Sequence, residues 1–482
     1  MVRRALLPLL IALSMLALAT PRTAAAGLAA DIESGIAAQL RKAEGKRGKA
    51  ACVVVDLAAG ETLYESRGGE SLAPASNMKL LVSAAALSLL GPEFEWVTRV
   101  MARGEVNGDA VEGDLCLVGG GDPNLSGRFH GGDTLALFKA WAAALKARGI
   151  ARVNGDLLFE TTLYGETAYN ESWPRDDQYV KWYCAQVSAL AFNDNCIGIK
   201  VTPQKAGRPA KIETIPSTAY VKIVNETTTV QGRKGAEIGI VRPRDGNTIT
   251  VKGKVYEQAT WGYSIDVTVH DPACYAATVF KETLESEGIR VAGSVKPVAL
   301  SGREFRQAAT LVEHRSRLVD ALKPINTNSQ NLHAEMLLRQ LGVRLTGKGT
   351  FKTGTAALLH YLKQEGLSAE GLKLVDGSGL AADNRLTARA ITGVLQGAAG
   401  APWFEHYRDS LATGGQGTLK RRLNEAGLRG KLFAKTGYIS GVRSLSGYLI
   451  GERRKLAFSI LMTDCVYSRE CQDEIVKLLS RA

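Results

Sequence analysis

The sequence predicts an α+β protein in which an antiparallel sheet flanked by helices carries a large β-rich insertion. Strand-like runs beside a helix occur near residues 50–90 and again near 430–482. Neither end alone has enough strands to bury one face of a sheet, so we expect the two ends to join. Between about residue 100 and residue 300, short β-rich runs are separated by Gly, Asn and Asp.

The first 26 residues are predicted to be a secretory signal peptide. Arg3 and Arg4 precede an apolar run shorter than the roughly 20 residues of a membrane span, and small residues follow at Ala24 and Ala26. We expect cleavage near Ala26 and an exported protein, periplasmic or facing the cell wall, without a transmembrane span after cleavage. An uncleaved anchor and peripheral association with a membrane stay open.

The predicted catalytic domain comprises residues 27–100 and 300–482. Asp31 caps a helix with an apolar face, and the strand-like runs ACVVVDL and ETLYES precede the apolar helix SNMKLLVSAAALSLLG. At the other end, KLFAKTG, SLSGYLIG and KLAFSILMT predict a strand meander followed by the helix CQDEIVKLLSRA. Residues 101–299 are predicted to be the inserted β-rich region, in two subdomains.

Composition narrows the function classes. The 482-residue chain has a formal net charge of +12, which suits an anionic cell-envelope polymer. We expect no nucleic-acid partner, because no basic run with interleaved aromatic residues occurs. The six histidines include no H-E-x-x-H motif, so we expect neither a catalytic metal nor a cofactor.

Seven cysteines in an exported chain suggest disulfides. Two pairs are close enough in sequence to close small loops, and we suspect the bridges Cys184–Cys196 and Cys465–Cys471. The odd number leaves at least one thiol free.

The sequence ASNMK places Ser76 and Lys79 three residues apart at the start of a helix. This spacing brings both side chains to one helix face, and the free N–H groups of the first turn favour developing negative charge. A serine hydroxyl needs a base to become a nucleophile, and a partly buried lysine beside another cation can serve as that base. On its own, S-x-x-K is more often a helix cap followed by a solvated lysine.

Two further motifs follow in order. Ser329-Gln330-Asn331 stands at a helix entrance and would alone be a capping sequence. Lys435-Thr436-Gly437 lies at the end of a predicted strand, where a lysine and a hydroxyl can hold a substrate carboxylate while glycine lets the substrate lie close. The order S-x-x-K, S-x-N, K-T-G is typical of serine penicillin-recognising enzymes.

A second K-T-G occurs at Lys352-Thr353-Gly354. It lies in the glycine-rich stretch LTGKGTFKTGTAALLHYL, which leads directly into a helix and offers no strand. We therefore predict that the triplet at 435–437 performs the chemistry and that the triplet at 352–354 is a loop and helix start.

The chain resembles the class C low-molecular-mass penicillin-binding proteins, the D-alanyl-D-alanine carboxypeptidase/endopeptidases. The resemblance rests on blocks in the order of that family: PASNMKL, GGGDPNL, VHDPACYAA, NTNSQNLHAEMLL, LVDGSGLAADNRLT and FAKTGYISGVRSLSGYL. It implies a penicillin-binding/β-lactamase-like catalytic domain. It also implies a serine DD-peptidase that cleaves peptidoglycan stem peptides after D-Ala and is acylated by penicillins and other β-lactam antibiotics.

The resemblance implies a role for each site residue. Ser76 would form the acyl-enzyme, with Lys79 as its base and Asn331 orienting that lysine. Ser329 would pass a proton to the leaving amine. The substrate-binding residues would be Lys435, Thr436 and Gly437, with Tyr438 donating a backbone N–H to the oxyanion hole together with the N–H of Ser76.

Two positions depart from the family pattern. Gln330 stands where Asp is common, at a position not expected to do chemistry. Tyr438 stands where Ser or Thr is usual, which puts its side-chain contribution in doubt but leaves its backbone donor. A β-lactamase and a non-catalytic peptidoglycan-binding protein are the alternatives, and the choice between carboxypeptidase and endopeptidase action stays open.

Overall fold

The computed structural model describes residues 27–165, 168–174, 176–259 and 262–482. The predicted signal peptide, residues 1–26, lies outside them. Among the residues it does describe, no helix has the length and hydropathy needed to cross a membrane.

The helices of the described residues pack mainly at the two ends of the chain. In chain order they are α1 Ala30–Glu44, α2 Met78–Leu89, α3 Ala136–Ala147, α4 Pro272–Ser286, α5 Gly302–Gln307, α6 Leu318–Asn326, α7 Asn331–Thr346, α8 Phe351–Gln364, α9 Ala388–Ala399, α10 Phe404–Ser410 and α11 Ser468–Leu479.

The strands dominate the middle of the chain. In order they are β1 Lys49–Asp56, β2 Glu61–Ser66, β3 Glu95–Asn107, β4 Ala110–Val118, β5 Arg152–Val153, β6 Leu157–Glu160, β7 Cys196–Thr202, β8 Lys211–Ile215, β9 Lys222–Val230, β10 Ile238–Val241, β11 Thr248–Tyr256, β12 Tyr263–Thr268, β13 Arg290–Val291, β14 Val295–Val298, β15 Ala309–Arg317, β16 Leu432–Ile439, β17 Val442–Ile450 and β18 Lys455–Thr463.

Both ends of the chain form one antiparallel sheet in the order β16-β17-β18-β1-β2. Strand β1 pairs with β18 along its whole length, from Lys49 opposite Thr463 to Asp56 opposite Leu456. Almost every residue of β1 is buried, because helices cover both faces of the sheet. The predicted α+β fold with a sheet built from both chain ends is confirmed.

The side chains of β1 alternate between two hydrophobic cores. Val54 packs with Ile36 of α1 and Ile475 of α11 on one face. Val53 and Val55 pack on the other face, in a core shared with α2, α7, α8 and α9. Strand β16 lies at the edge of this sheet. Within the described residues, the outer side of its backbone is bridged at Ala434, to Ala412, and belongs to no further strand ladder.

Three further sheets are formed mainly by the middle of the chain, and the largest of them also includes β15, which lies beyond the predicted inserted region. A larger mixed sheet runs β13-β5-β4-β3-β15 with β6 and β14 attached, and two three-stranded sheets run β12-β7-β8 and β10-β11-β9. Phe138 of α3 and Phe280 of α4 are buried in one hydrophobic core together with strands of these sheets. The division of the chain at residues 100 and 300 stays a prediction.

The structure contains neither suspected disulfide, because all seven cysteines are free. The Cys465 thiol donates to the carbonyl of Lys49, whereas the Cys471 thiol donates to the carbonyl of Gln39, so the two sulfurs point to different partners. Cys184 and Cys196 are both buried thiols, and burial raises the pKa of each. The expectation of two disulfides from short sequence spacing was therefore wrong, since the core around each cysteine sets the direction of its side chain.

Candidate active site

A cleft of about 590 Å³ opens where three elements meet. These are the 3₁₀ turn Ala75–Asn77 that leads into α2, the segment before α7, and the free edge of β16. The residues that line it include five of the predicted site residues: Ser76, Ser329, Asn331, Thr436 and Tyr438.

Ser76 is partly exposed on the 3₁₀ turn, and Lys79 is fully buried in the first turn of α2. Lys79 Nζ lies 3.0 Å from Ser76 Oγ. The same nitrogen donates to Asn331 Oδ1 and to the carbonyl of Ser378, each at 2.7 Å. The lysine amine is therefore held against the serine hydroxyl by two fixed acceptors.

Burial lowers the pKa of Lys79 to about 7, although the carboxyl groups of Glu335 and Asp376 oppose the shift. Lys435 is also fully buried. Its burial, and to a smaller extent repulsion from Lys79, hold its pKa well below the usual lysine value. Burial therefore disfavours the charged form of both lysines, and the nearby Lys79 further disfavours the charge of Lys435. A neutral Lys79 is thus accessible near neutral pH.

Lys435 lies on β16, one position before Thr436, and its Nζ donates to Ser329 Oγ at 2.9 Å and to the Thr436 carbonyl at 2.8 Å. Ser329 itself has a left-handed backbone conformation, with φ of +63°. The hydroxyl of the S-x-N motif and the lysine of the K-T-G motif are therefore in direct contact.

Gly437 allows β16 to approach the turn that carries Ser76. A Cβ at this position would lie 2.0 Å from Ser444 Oγ, 2.9 Å from the carbonyl of Pro74 and 3.0 Å from the nitrogen of Ser76. Ser444 in turn donates to that Pro74 carbonyl at 2.7 Å, which joins β17 to the same turn. Any larger residue would push the strand away from Ser76.

Tyr438 follows the glycine, and its side chain is 64% exposed at the mouth of the cleft. The guanidinium carbon of Arg443 lies 4.3 Å from the centre of its ring, a cation–π contact. Asn331 donates its amide N–H to the carbonyl of Tyr183 at 2.8 Å, which fixes the oxygen that faces Lys79. All eight predicted site residues therefore lie in or around one cleft, and their roles stay predictions.

Sequence reasoning missed the floor of the site. The segment DGSGL, residues 376–380, forms a turn, and the carbonyl of its Ser378 accepts a hydrogen bond from Lys79. A Cβ on Gly379 would lie only 1.8 Å from the carbonyl of Ala75, so the turn packs directly against the segment that carries Ser76.

Two buried carboxyl groups hold this turn in place. Glu335 accepts the N–H groups of Gly377 and Ser378 at 2.9 and 2.7 Å. Asp376 accepts four donors: the N–H of Gly379, the N–H of Ala381, Nε1 of Trp173 and Nδ2 of Asn384. Burial, and to a smaller extent repulsion from Asp376, raise the pKa of Glu335 to about 8. The sequence did contain one indication that Glu335 lies near the site. It follows Asn331 by four residues, which places both side chains on one face of α7.

The other K-T-G triplet is remote from this chemistry. Lys352, Thr353 and Gly354 lie in the first turn of α8, where Thr353 donates its N–H to the capping Thr350 hydroxyl at 3.0 Å. Within the described part of the chain, no group of three or more His, Cys, Asp or Glu side chains is arranged to hold a metal ion.

Comparisons with known proteins agree with this geometry. Residues 32–482 match the D-Ala-D-Ala carboxypeptidase 3 (S13) family. A D-alanyl-D-alanine carboxypeptidase from Actinomadura sp. (strain R39) is 37% identical over 431 residues, which cover 85% of this chain and 76% of that protein. A D-alanyl-D-alanine carboxypeptidase from Haemophilus influenzae is 25% identical and covers 83% of this chain and 82% of its own length.

Solved structures show the same fold. Penicillin-binding protein 4 from Haemophilus influenzae superposes with a TM-score of 0.80 at 22% identity, covering 92% of this chain and 98% of that one. A complex of the same protein with a β-lactam superposes with a TM-score of 0.74 at 22% identity, covering 93% and 99% of the two chains.

Proposed function

Because the chain belongs to the D-Ala-D-Ala carboxypeptidase 3 (S13) family, we propose that the cluster around Ser76 performs its serine-peptidase reaction. The enzyme is a serine DD-peptidase that acts on peptidoglycan stem peptides and is acylated by β-lactams. The observation that carries the assignment of the site is the contact of 3.0 Å between Lys79 Nζ and Ser76 Oγ in a buried cluster that also holds Lys435.

Lys79 is the base that activates Ser76. A neutral amine has two N–H donors and one lone pair, and here two acceptors, Asn331 Oδ1 and the Ser378 carbonyl, take the donors. The lone pair is left for the Ser76 hydroxyl. As Oγ bonds to the carbonyl carbon of the penultimate D-alanine, its proton passes to Lys79 Nζ.

The developing oxyanion is stabilised by the backbone N–H groups of Ser76 and Tyr438. A donor of this kind is typically worth about 3 kcal/mol of transition-state stabilisation. The terminal carboxylate of the substrate binds at Lys435 and Thr436, on the free edge of β16. The carboxylate of a penicillin binds at the same place.

The leaving amine takes its proton through Ser329. Its hydroxyl accepts a hydrogen bond from Lys435 Nζ at 2.9 Å and lines the cleft beside Asn331. The proton that Lys79 took from Ser76 passes through the Ser329 hydroxyl to this nitrogen, the carbon–nitrogen bond breaks, and Lys79 becomes neutral again. Lys79 then takes a proton from the water that attacks the ester carbonyl and returns it to Ser76 Oγ as the ester bond breaks. Neither the β-lactamase nor the non-catalytic binder is favoured, since the matched family is a peptidase family and the serine, both lysines and the K-T-G glycine are all in place.

The family implies action outside the cytoplasm, and we place the enzyme in the periplasm or at the cell wall after removal of residues 1–26. Removal of residues 1–26 takes away three arginines and leaves a formal net charge of +9, which supports contact with an anionic wall polymer.

The proposal is tested by mixing the purified enzyme with an acyl-D-Ala-D-Ala peptide and measuring free D-alanine. We expect release by the wild type, loss of release in Ser76→Ala, and competition by benzylpenicillin. Equal release by Ser76→Ala would contradict the assignment of the nucleophile.

A further inference from the structure

A positive charge stands at the mouth of the catalytic cleft. Among the described residues, the lining of that cleft contains no Asp, Glu, Lys or Arg side chain. One lining residue, Tyr438, nevertheless holds a cation on its ring, because the guanidinium carbon of Arg443 lies 4.3 Å from the ring centre. Arg443 belongs to β17, where its backbone pairs with that of Tyr438. Its side chain therefore reaches from β17 to a ring carried by the edge strand β16, and the ring supports the planar guanidinium group.

The charges around Arg443 leave it without an anionic partner. Within the described residues, no hydrogen bond or ion pair uses its guanidinium group. Nearby Arg422 is neutralised by Asp473 at 2.7 Å, whereas no ion pair of the described residues uses Arg469. Burial and repulsion from Arg469 lower the pKa of Arg443, although the carboxylate of Glu470 opposes the shift. A bound anion would relieve this surplus of positive charge.

The proposed reaction determines which half of the substrate passes this arginine. The terminal carboxylate binds at Lys435, and the scissile carbonyl lies at the N–H of Tyr438. The substrate therefore runs antiparallel to β16, and its acyl half continues along Ile439 and Ser440, which also line the cleft. This half lies beside the Tyr438 ring and the turn that leads to Arg443.

Stem peptides carry a carboxylate that suits this position. An extended peptide advances about 3.3 Å per residue, so successive substrate residues lie opposite successive residues of the strand. With the penultimate D-alanine opposite Tyr438, the residue two positions before it reaches the level of Ser440, in the turn between β16 and β17. In a stem peptide this is a D-glutamyl residue linked through its γ-carboxyl group, which leaves its α-carboxylate free. A guanidinium group binds a carboxylate through two parallel hydrogen bonds.

We infer that Arg443, held on the ring of Tyr438, binds the free α-carboxylate of the D-glutamyl residue in the acyl half of the stem peptide. The inference rests on the proposed function, since it takes the direction of the substrate from the roles of Lys435 and Tyr438. Arg443 is then a specificity-determining residue. It favours stem peptides with a free glutamyl carboxylate over those in which this carboxylate is amidated.

The test measures D-alanine release by the full-length enzyme from a matched pair of peptides. One is N-acetyl-L-Ala-γ-D-Glu-L-Lys-D-Ala-D-Ala, and the other carries D-isoglutamine in place of D-glutamate. With lysine as the next residue, the glutamyl α-carboxylate is the only carboxylate of the acyl half. For the wild type we expect kcat/KM to be about tenfold higher for the carboxylate than for the amide. Arg443→Gln should bring this ratio to about one by lowering kcat/KM for the carboxylate.

Two further variants sharpen the test. Arg443→Glu reverses the charge and should make the amide the better substrate, because two carboxylates repel each other. Arg453→Gln, the matched control, removes an exposed arginine beyond the opposite end of β17 and should keep the wild-type ratio. Titration with benzylpenicillin, whose acyl group has no carboxylate, counts the active sites of each preparation, so that kcat/KM is expressed per folded enzyme.

The inference would be overturned by a wild type that cleaves both peptides equally well. It would also be overturned by an Arg443→Gln enzyme that keeps the wild-type preference for the carboxylate. A wild type that releases no D-alanine from either peptide and is not acylated by benzylpenicillin would instead refute the proposed function itself.

Discussion

The same three residues, Lys-Thr-Gly, occur twice in this chain and adopt two different structures. At 352–354 they form the first turn of α8, with Lys352 exposed to solvent. At 435–437 they lie on the edge strand β16, with Lys435 fully buried against Ser329.

The flanking sequence explains the difference. Thr350 caps α8 by accepting the N–H of Thr353, so the first triplet is fixed as helix by its own neighbours. The second triplet is part of an apolar strand whose partner β17 pairs Lys435 with Ser446 and Gly437 with Ser444. In the proposed reaction the chemistry depends on an edge strand that lies beside Ser76, and the tripeptide alone does not determine it.

Removing the two lysines separately should give the largest contrast. Lys435→Ala deletes a buried hydrogen-bonded amine, a change that typically costs about 3 kcal/mol of interaction free energy. Acylation by a fluorescent penicillin should therefore slow roughly a hundredfold. Lys352→Ala, the matched control, removes a surface side chain and should keep the wild-type rate within about twofold. Similar losses in both variants would contradict the distinction between the triplets.

Adding one methyl group to each glycine should separate activity from stability. In Gly437→Ala the new Cβ would meet Ser444 Oγ at 2.0 Å and push β16 from Ser76, so we expect acylation to fall roughly thirtyfold. In Gly354→Ala the Cβ would meet the Leu338 carbonyl at 2.5 Å between α7 and α8. That variant should lose about 1–3 kcal/mol of stability in thermal unfolding but acylate normally once folded.

The acylation rate should also depend on pH through Lys79. Its pKa is lowered to about 7, and only the neutral amine can accept the Ser76 proton. Acylation should therefore rise about tenfold from pH 6 to pH 8 in the wild type. Lys352→Ala should show the same profile. A rate that is flat over this interval in stopped-flow measurements would exclude a base with this pKa.

The smallest effect is expected at the residue after the second triplet. Tyr438→Thr restores the residue type usual in the family and keeps the backbone N–H proposed as an oxyanion donor. Because the tyrosine ring lies mostly in solvent, acylation should change by no more than about threefold. A much larger loss would show that the ring, with Arg443 beside it, contacts the penicillin.

Much of the fold and of the site could be predicted from the sequence, because the features that indicate them lie within a few residues of each motif. Strand-like residues around Lys435 and the helix entrance at Ser329 were enough to distinguish the motifs and to predict the sheet. The roles of Glu335 and Ser378 could not be predicted in this way, since they depend on a turn brought beneath Ser76 from some three hundred residues away. The two suspected disulfides were wrong for a similar reason, because spacing in sequence does not give the direction of a side chain.

The central claim is that Ser76, and no other serine of the cleft, is the nucleophile. Incubation of the full-length enzyme with benzylpenicillin, followed by proteolysis and mass spectrometry of the adduct, tests it most directly. We predict one penicilloyl group on the peptide that contains Ser76, formed slowly in Lys435→Ala and normally in Lys352→Ala. An adduct on Ser329 or Ser378, or no adduct at all, would contradict it.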